Sequence, residues 1–170
     1  MNWEHSSETI HAFLFGNQNC KMNFFKIFIV FLIITGVSAG CDNTSESSIP
    51  DAPVNLQLNM LVAPYNTFNT PNSYIIYDKR KNEIDRIGYG GILLYIDYEG
   101  KYCAFDLTCP YEVSPNVRVS PNDEGKAVCD KCGSVFELLY GIGAPISGPA
   151  KEPLKRYRVV LSNNWLYVTN

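Results

Sequence analysis

An all-β domain is the fold class this sequence predicts, and three observations predict it. No window carries apolar residues recurring near every 3.6 positions, the period an amphipathic helix needs. Apolar and β-branched residues come instead in short runs, several of them alternating with polar ones. Those runs are separated by clusters of Gly, Pro, Asn and Asp, which favour turns.

Each element follows from that pattern. "NLQLNMLV" (Asn55 to Val62) alternates, and "SYIIYD" (Ser73 to Asp78) is rich in aromatic and β-branched residues. "GGILLYIDYEGKYCAFDL" (Gly90 to Leu107) is two apolar runs joined by "YEGK", which predicts a hairpin with Gly100 in its turn. "NVRVS" (Asn116 to Ser120) alternates, and "PNDEGK" (Pro121 to Lys126) is a turn cluster. "SVFELL", "LKRYRVVLS" and "WLYVT" complete the set, with "SNN" as a tight turn between the last two. Roughly eight to ten short strands are expected. The longest irregular segments are Thr108 to Pro115 and Tyr140 to Pro153, and long loops on a β scaffold are where functional sites tend to lie.

The N-terminal region has a different character. From Met22 the chain reads "MNFFKIFIVFLIITGVSAGC", with Lys26 ahead of an apolar run that begins at Ile27 and small residues leading to Cys41. Such an order describes a secretory signal, and the run is shorter than the ~20 residues of a membrane-spanning helix. Ser38, Ala39 and Gly40 directly before Cys41 resemble a bacterial lipoprotein signal, with Ser38 where Leu is commoner. That resemblance implies a lipid on Cys41 as the first mature residue and attachment to a membrane of the bacterial cell envelope. The expected organisation is residues 1–21 as a start-site misassignment, 22–40 as the signal, 41–53 as a polar tether and 54–170 as the folded domain.

Composition then excludes several functions. A net charge of -3, with basic residues clustered only in "DKRK" and "KRYR" beside strand-like sequence, offers no stripe for nucleic acid. The only two histidines, His5 and His11, precede Met22, so a chain starting there contains no imidazole. With no G-x-S-x-G, no phosphate-cradling glycine loop and no readable carboxylate pair, no hydrolytic or transfer enzyme is visible, and a module rather than a stand-alone catalyst is expected. Six cysteines are present; Cys20 lies upstream and Cys41 takes the lipid, leaving Cys103, Cys109, Cys129 and Cys132. Four thiols in an exported domain permit two disulfides or a metal site equally well.

"CPYE" at Cys109, followed by "CDKCGSVFELLYGIGAPISGPAKEPLKRYRV" from Cys129, resembles the Rieske iron-sulfur domain. That family's motif is C-x-H, a spacer, then C-x-x-H-G-S. Gly133 and Ser134 follow the second loop as in the family, and Phe136, Gly141, Gly148, Pro149, Ala150, Leu154 and Tyr157 fall at its aromatic, glycine, cover-loop and closing-strand positions. The likeness runs from about Leu93 to Asn170. It implies a Rieske-like antiparallel β-sandwich or barrel, with a small inserted cluster-binding subdomain over about 105–150.

The ligands depart from the pattern, because Tyr111 and Cys132 stand at the two imidazole positions. The two-cysteine, two-histidine centre, and the high potential that its histidines confer, is therefore excluded. One reading keeps a metal, with Cys109, Cys129 and Cys132 as soft ligands to a 2Fe-2S cluster or zinc, and Tyr111 or Cys103 completing the set. Cys103 shares a strand face with Phe105 and Leu107, which equally suits a buried hydrophobe. A second reading has no metal and a disulfide between Cys109 and Cys129, which the fold implies lie close. A third makes a cluster-free interaction or structural module, with Tyr111, Phe136 and Tyr140 either lining a small pocket or belonging to the core, the core being the expected place of Phe136. Around any centre, Ser134, Gly133 and Pro149 are the expected supporting residues, the serine as a hydrogen-bond donor to it. An envelope protein or redox partner and the membrane are the expected partners.

Overall fold

The computed structural model describes residues 47–170. Met22, the signal over 22–40, Cys41, Cys20, His5 and His11 lie outside those residues. Among the described residues there are eleven strands: β1 (Val54–Asn59), β2 (Tyr74–Tyr77), β3 (Arg86–Ile87), β4 (Ile92–Ile96), β5 (Tyr102–Asp106), β6 (Val119–Pro121), β7 (Lys126–Cys129), β8 (Val135–Glu137), β9 (Pro145–Ser147), β10 (Arg156–Ser162) and β11 (Trp165–Thr169). The one helical element among the described residues is the 3-10 turn Tyr65–Thr67. None of their helices is long and apolar enough to cross a membrane.

Seven strands form an antiparallel sheet in the order β2-β4-β5-β10-β11-β1-β3, and β6 to β9 form a second sheet of four. The small sheet is an insertion between β5 and β10. Those two strands pair with each other, Arg156 opposite Phe105 and Tyr157 opposite Ala104, so the inserted segment leaves and returns through neighbours. The predicted all-β class and the inserted subdomain are both found.

Burial explains why β4 reads as an unbroken apolar run instead of an alternating one. All five residues of "ILLYI" are buried. Leu93 and Tyr95 join one core with Cys103, Phe105, Leu107, Cys109, Cys129, Phe136 and Leu138, beneath the small sheet. Ile92, Leu94 and Ile96 join the other, with Leu56, Leu58, Ala104, Leu166 and Val168. Successive side chains point to opposite faces of a strand, so a strand between two cores is apolar at every position.

The turns form where the sequence places them. Gly100 has φ +82° in the β4–β5 hairpin, while Asp97 Oδ1 accepts the Glu99 and Lys101 amides and closes the loop. Asn163 and Asn164 both have positive φ, 49° and 64°, the backbone a two-residue hairpin turn requires.

Three expectations change. The strand expected over Asn116 to Ser120 starts only at Val119, because Val117 and Arg118 complete the preceding loop. Eleven strands stand where eight to ten were expected, because β3 and β9, of two and three residues, are too short to show any period, and β9 lies inside the segment expected to be irregular over Tyr140 to Pro153. The tether expected over 41–53 ends before its last residues, since Ile49 is buried and Ser48 Oγ donates to the Pro110 carbonyl. Lys155 Nζ donates to the Ile49 and Pro50 carbonyls, so residues 47–53 are bound to the domain.

Candidate metal centre

Two loops at the tip of the small subdomain carry the thiols. The first follows β5. Its opening is fixed by Asp106, fully buried, whose carboxylate accepts the amides of Thr108 (2.7 Å), Tyr89 (2.9 Å) and Gly90 (3.1 Å) and the Tyr157 hydroxyl (2.6 Å). A side chain at Gly90 would put its Cβ 2.1 Å from Thr108 Oγ1, so only glycine lets this strand approach. Cys109 donates its amide to Val117 O, and its carbonyl accepts from Glu112 and Val113, which turns the loop back on itself.

The second loop joins β7 to β8. Cys129 accepts the Gly133 amide and donates its own to Ser134 O. Gly133 has φ +71°, and a Cβ there would meet nothing within 4 Å, so the backbone conformation alone favours glycine. Across the mouth between the loops, Lys131 pairs with the Glu112 carboxylate, whose side chain is only 13% exposed.

The loops bring Cys109, Cys129 and Cys132 together, with all three Sγ atoms within 4.8 Å of one another. Cys109 Sγ and Cys132 Sγ are 3.6 Å apart. Cys109 and Cys129 are fully buried, Cys132 is partly open to solvent, and all are free thiols. Burial pushes the Cys109 thiol up to about 12, against the opposing pull of the Glu112 and Tyr111 amides. Burial acts on Cys132 in the same direction but is outweighed. The Ser134 hydroxyl and amide and the two neighbouring thiols bring that pKa below the ordinary thiol range.

Ser134 is fully buried, with its Oγ accepting the Ala150 amide at 3.0 Å and lying 3.1 Å from Cys132 Sγ. Its proton is thereby free to turn toward a thiolate. The cover loop containing Pro149, itself half-buried, is pressed onto this turn. A Cβ on Gly148 would lie 2.5 Å from Ser134 Cα.

The remaining expected residues fall elsewhere. Tyr111 is 56% exposed, and Tyr140 stacks edge-on against Tyr98 at 5.1 Å. Phe136 is core, so these three aromatics do not line one surface. Cys103 lies outside the thiol group, beside Asp97 and Gly141, where burial and then Asp97 raise its pKa. The Asp106 network had no sequence signal beyond a carboxylate ending an apolar strand.

The donor set decides what this centre can hold. Residues 47–170 contain no histidine. A two-iron cluster of the all-thiolate kind needs four protein donors, and among the described residues three converge. The two-cysteine, two-histidine centre of the Rieske motif therefore does not fit these residues, which hold no imidazole. Three soft donors do suit a thiophilic metal.

The chain matches no family model and no curated relative. Among solved structures it is similar to the ferredoxin of carbazole 1,9a-dioxygenase from Nocardioides aromaticivorans IC177, at 17% identity over 68% of this chain and 95% of that one, with a TM-score of 0.41. Sphingomonas yanoikuyae B1 ferredoxin is similar at 16% over 59% and 88%, TM-score 0.38. A complex of reduced oxygenase and oxidized ferredoxin in carbazole 1,9a-dioxygenase contains a chain similar at 16% over 61% and 85%, TM-score 0.40. At such identities and scores, nothing about ligands or partners passes from those proteins to this chain.

Proposed function

We propose that this protein is a thiolate metal-binding module that transfers single electrons at the bacterial cell envelope, anchored by a lipid on Cys41. The observation that supports this most is the convergence of three free cysteines from two loops that are otherwise closed by their own backbone hydrogen bonds. Iron held by such a set would supply a one-electron couple, and a thiolate-rich shell keeps its potential low. Cys109, Cys129 and Cys132 hold the metal, and the Ser134 hydroxyl, 3.1 Å from the Cys132 sulfur and accepting from that thiol when it is protonated, donates to it once it is a thiolate. An envelope redox protein would meet it at the open, Cys132 side.

Protein made anaerobically with ample iron, then assayed for iron, zinc and acid-labile sulfide, tests this directly. At least one metal per chain and an electron paramagnetic resonance signal from one oxidation state are expected. Metal-free protein without such a signal overturns the proposal. A second reading rests on the 3.6 Å separation of Cys109 and Cys132. A cluster-free envelope module with a disulfide there, or between Cys109 and Cys129, needs little movement. Counting fewer than four reactive thiols after anaerobic denaturation of the mature chain would favour it.

A further inference from the structure

We infer that the three cysteines form a site for a single soft metal ion, with its fourth coordination position open to solvent and taken by an exogenous small ligand. This rests on the metal-binding function proposed above and narrows it to a mononuclear centre.

The first argument is spacing. Thiolates bound at ~2.3 Å to one tetrahedral ion stand about 3.8 Å apart. Cys109 and Cys132 are already 3.6 Å apart, and no pair in the set exceeds 4.8 Å. Sulfurs on opposite irons of a bridged pair are separated by the second iron and its sulfides, so they sit wider than sulfurs on one metal.

The second argument is donor count. No fourth His, Cys, Asp or Glu of the described residues joins the group. Glu112, the nearest acidic residue along the first loop, is engaged by Lys131. Cys103 lies with Asp97 and Gly141.

The third argument is access. Cys109 and Cys129 are sealed and Cys132 is not, so the ion's free position faces the Cys132 side. An ion with three protein ligands and a replaceable fourth is the arrangement of a reactive or ligand-sensing centre, whereas structural sites are closed. The ligand class is a small monodentate donor: water at rest, displaced by an exogenous thiolate or imidazole.

Cobalt(II) tests this, because tetrahedral cobalt reports both its thiolate count and its fourth ligand. Anaerobic titration of the full chain is expected to saturate at one cobalt per chain. The sulfur-to-cobalt band should weaken by about a third in Cys132→Ser, as three thiolates become two, and remain unchanged in Cys103→Ser. Imidazole or 2-mercaptoethanol should shift the visible cobalt bands of the unaltered protein. Two irons with two sulfides per chain from iron reconstitution would overturn the single-ion centre while leaving metal binding intact. A Cys103→Ser loss equal to that of Cys132→Ser, or bands indifferent to added ligand, would overturn the open position. A chain that binds neither cobalt nor iron defeats the proposed function itself.

Discussion

Replacing Asp106 by Asn should be the most informative single change, because this carboxylate joins three chain segments at the root of the first thiol loop. Its Oδ1 accepts from Thr108 and Gly90, and its Oδ2 from Tyr89, Gly90 and Tyr157. The amide of an Asn must place its NH2 at one of those two positions. At Oδ1 it faces two N–H donors. At Oδ2 the Tyr157 hydroxyl can turn round and accept, but the Tyr89 amide loses its partner. The second choice is cheaper and still leaves a part-buried N–H unsatisfied, at about 1–3 kcal/mol, while the surviving bonds lose their charge assistance. The sum is a destabilisation of about 3 kcal/mol or more, a large share of the ~5–15 kcal/mol of a whole domain. Tyr157→Phe deletes only one bond to the carboxylate and should cost about 1.5–3 kcal/mol. Because the two share that bond, the double variant should cost less than the sum of the singles by about 1 kcal/mol. Urea denaturation measures all three. Cys109 follows Thr108 directly, so the Asn variant should also let a thiol reagent reach Cys109 faster under native conditions. Loss of less than about 1 kcal/mol in Asp106→Asn, with strictly additive singles, would refute the network as drawn.

Other consequences are equally measurable. Gly148→Ala sets a Cβ against the Ser134 backbone at a φ of +88°, so it should cost about 2–4 kcal/mol and unmask the buried thiols to alkylation. Unchanged stability and labelling would show that the cover loop is not clamped there. Ile49→Ala should cost about 2–4 kcal/mol in thermal or chemical unfolding, since its side chain is 1% exposed, where a free tether would register nothing. In metal-free protein Cys132 should be the first thiol alkylated, at a pH below that of an ordinary cysteine, and Ser134→Ala should move that midpoint upward. Cys109 titrates the other way. Its folded pKa lies above the unfolded value, so its share of stability is whole below pH ~8.5 and declines as pH rises toward about 12. The slope is at most about 1.4 kcal/mol per pH unit for this one proton. Metal-free stability that rises across that interval would contradict the burial of Cys109.

The fold was largely legible because its devices are local. The asparagine pair of the last hairpin, Gly100 in the first and the β-branched runs each act through their own backbone. Ile49 was not legible, since a single apolar residue in a polar stretch carries no period, and the hydrogen bonds that hold this stretch come from Pro110, Glu152 and Lys155, distant in sequence. Asp106 looked like the polar end of a strand, and its four donors come from residues 89, 90, 108 and 157. At the centre, spacing marked Cys109, Cys129 and Cys132 as a set, but could not show how closely the third thiol approaches the other two. That is decided by the turn from Cys129 to Ser134, in which Gly133 folds back on Cys129 and draws Cys132 within 3.6 Å of Cys109.

The pairing of β5 with β10 has a wider meaning for this chain. Because the excursion that carries the thiols is stitched shut at its base, its two ends leave and re-enter the large sheet as hydrogen-bonded neighbours, while its buried cysteines share a core with Leu93, Tyr95 and Phe105 of that sheet. Tyr111 and Cys132, the two positions where the sequence departs from the motif it resembles, both lie inside that excursion and belong to no strand of the large sheet.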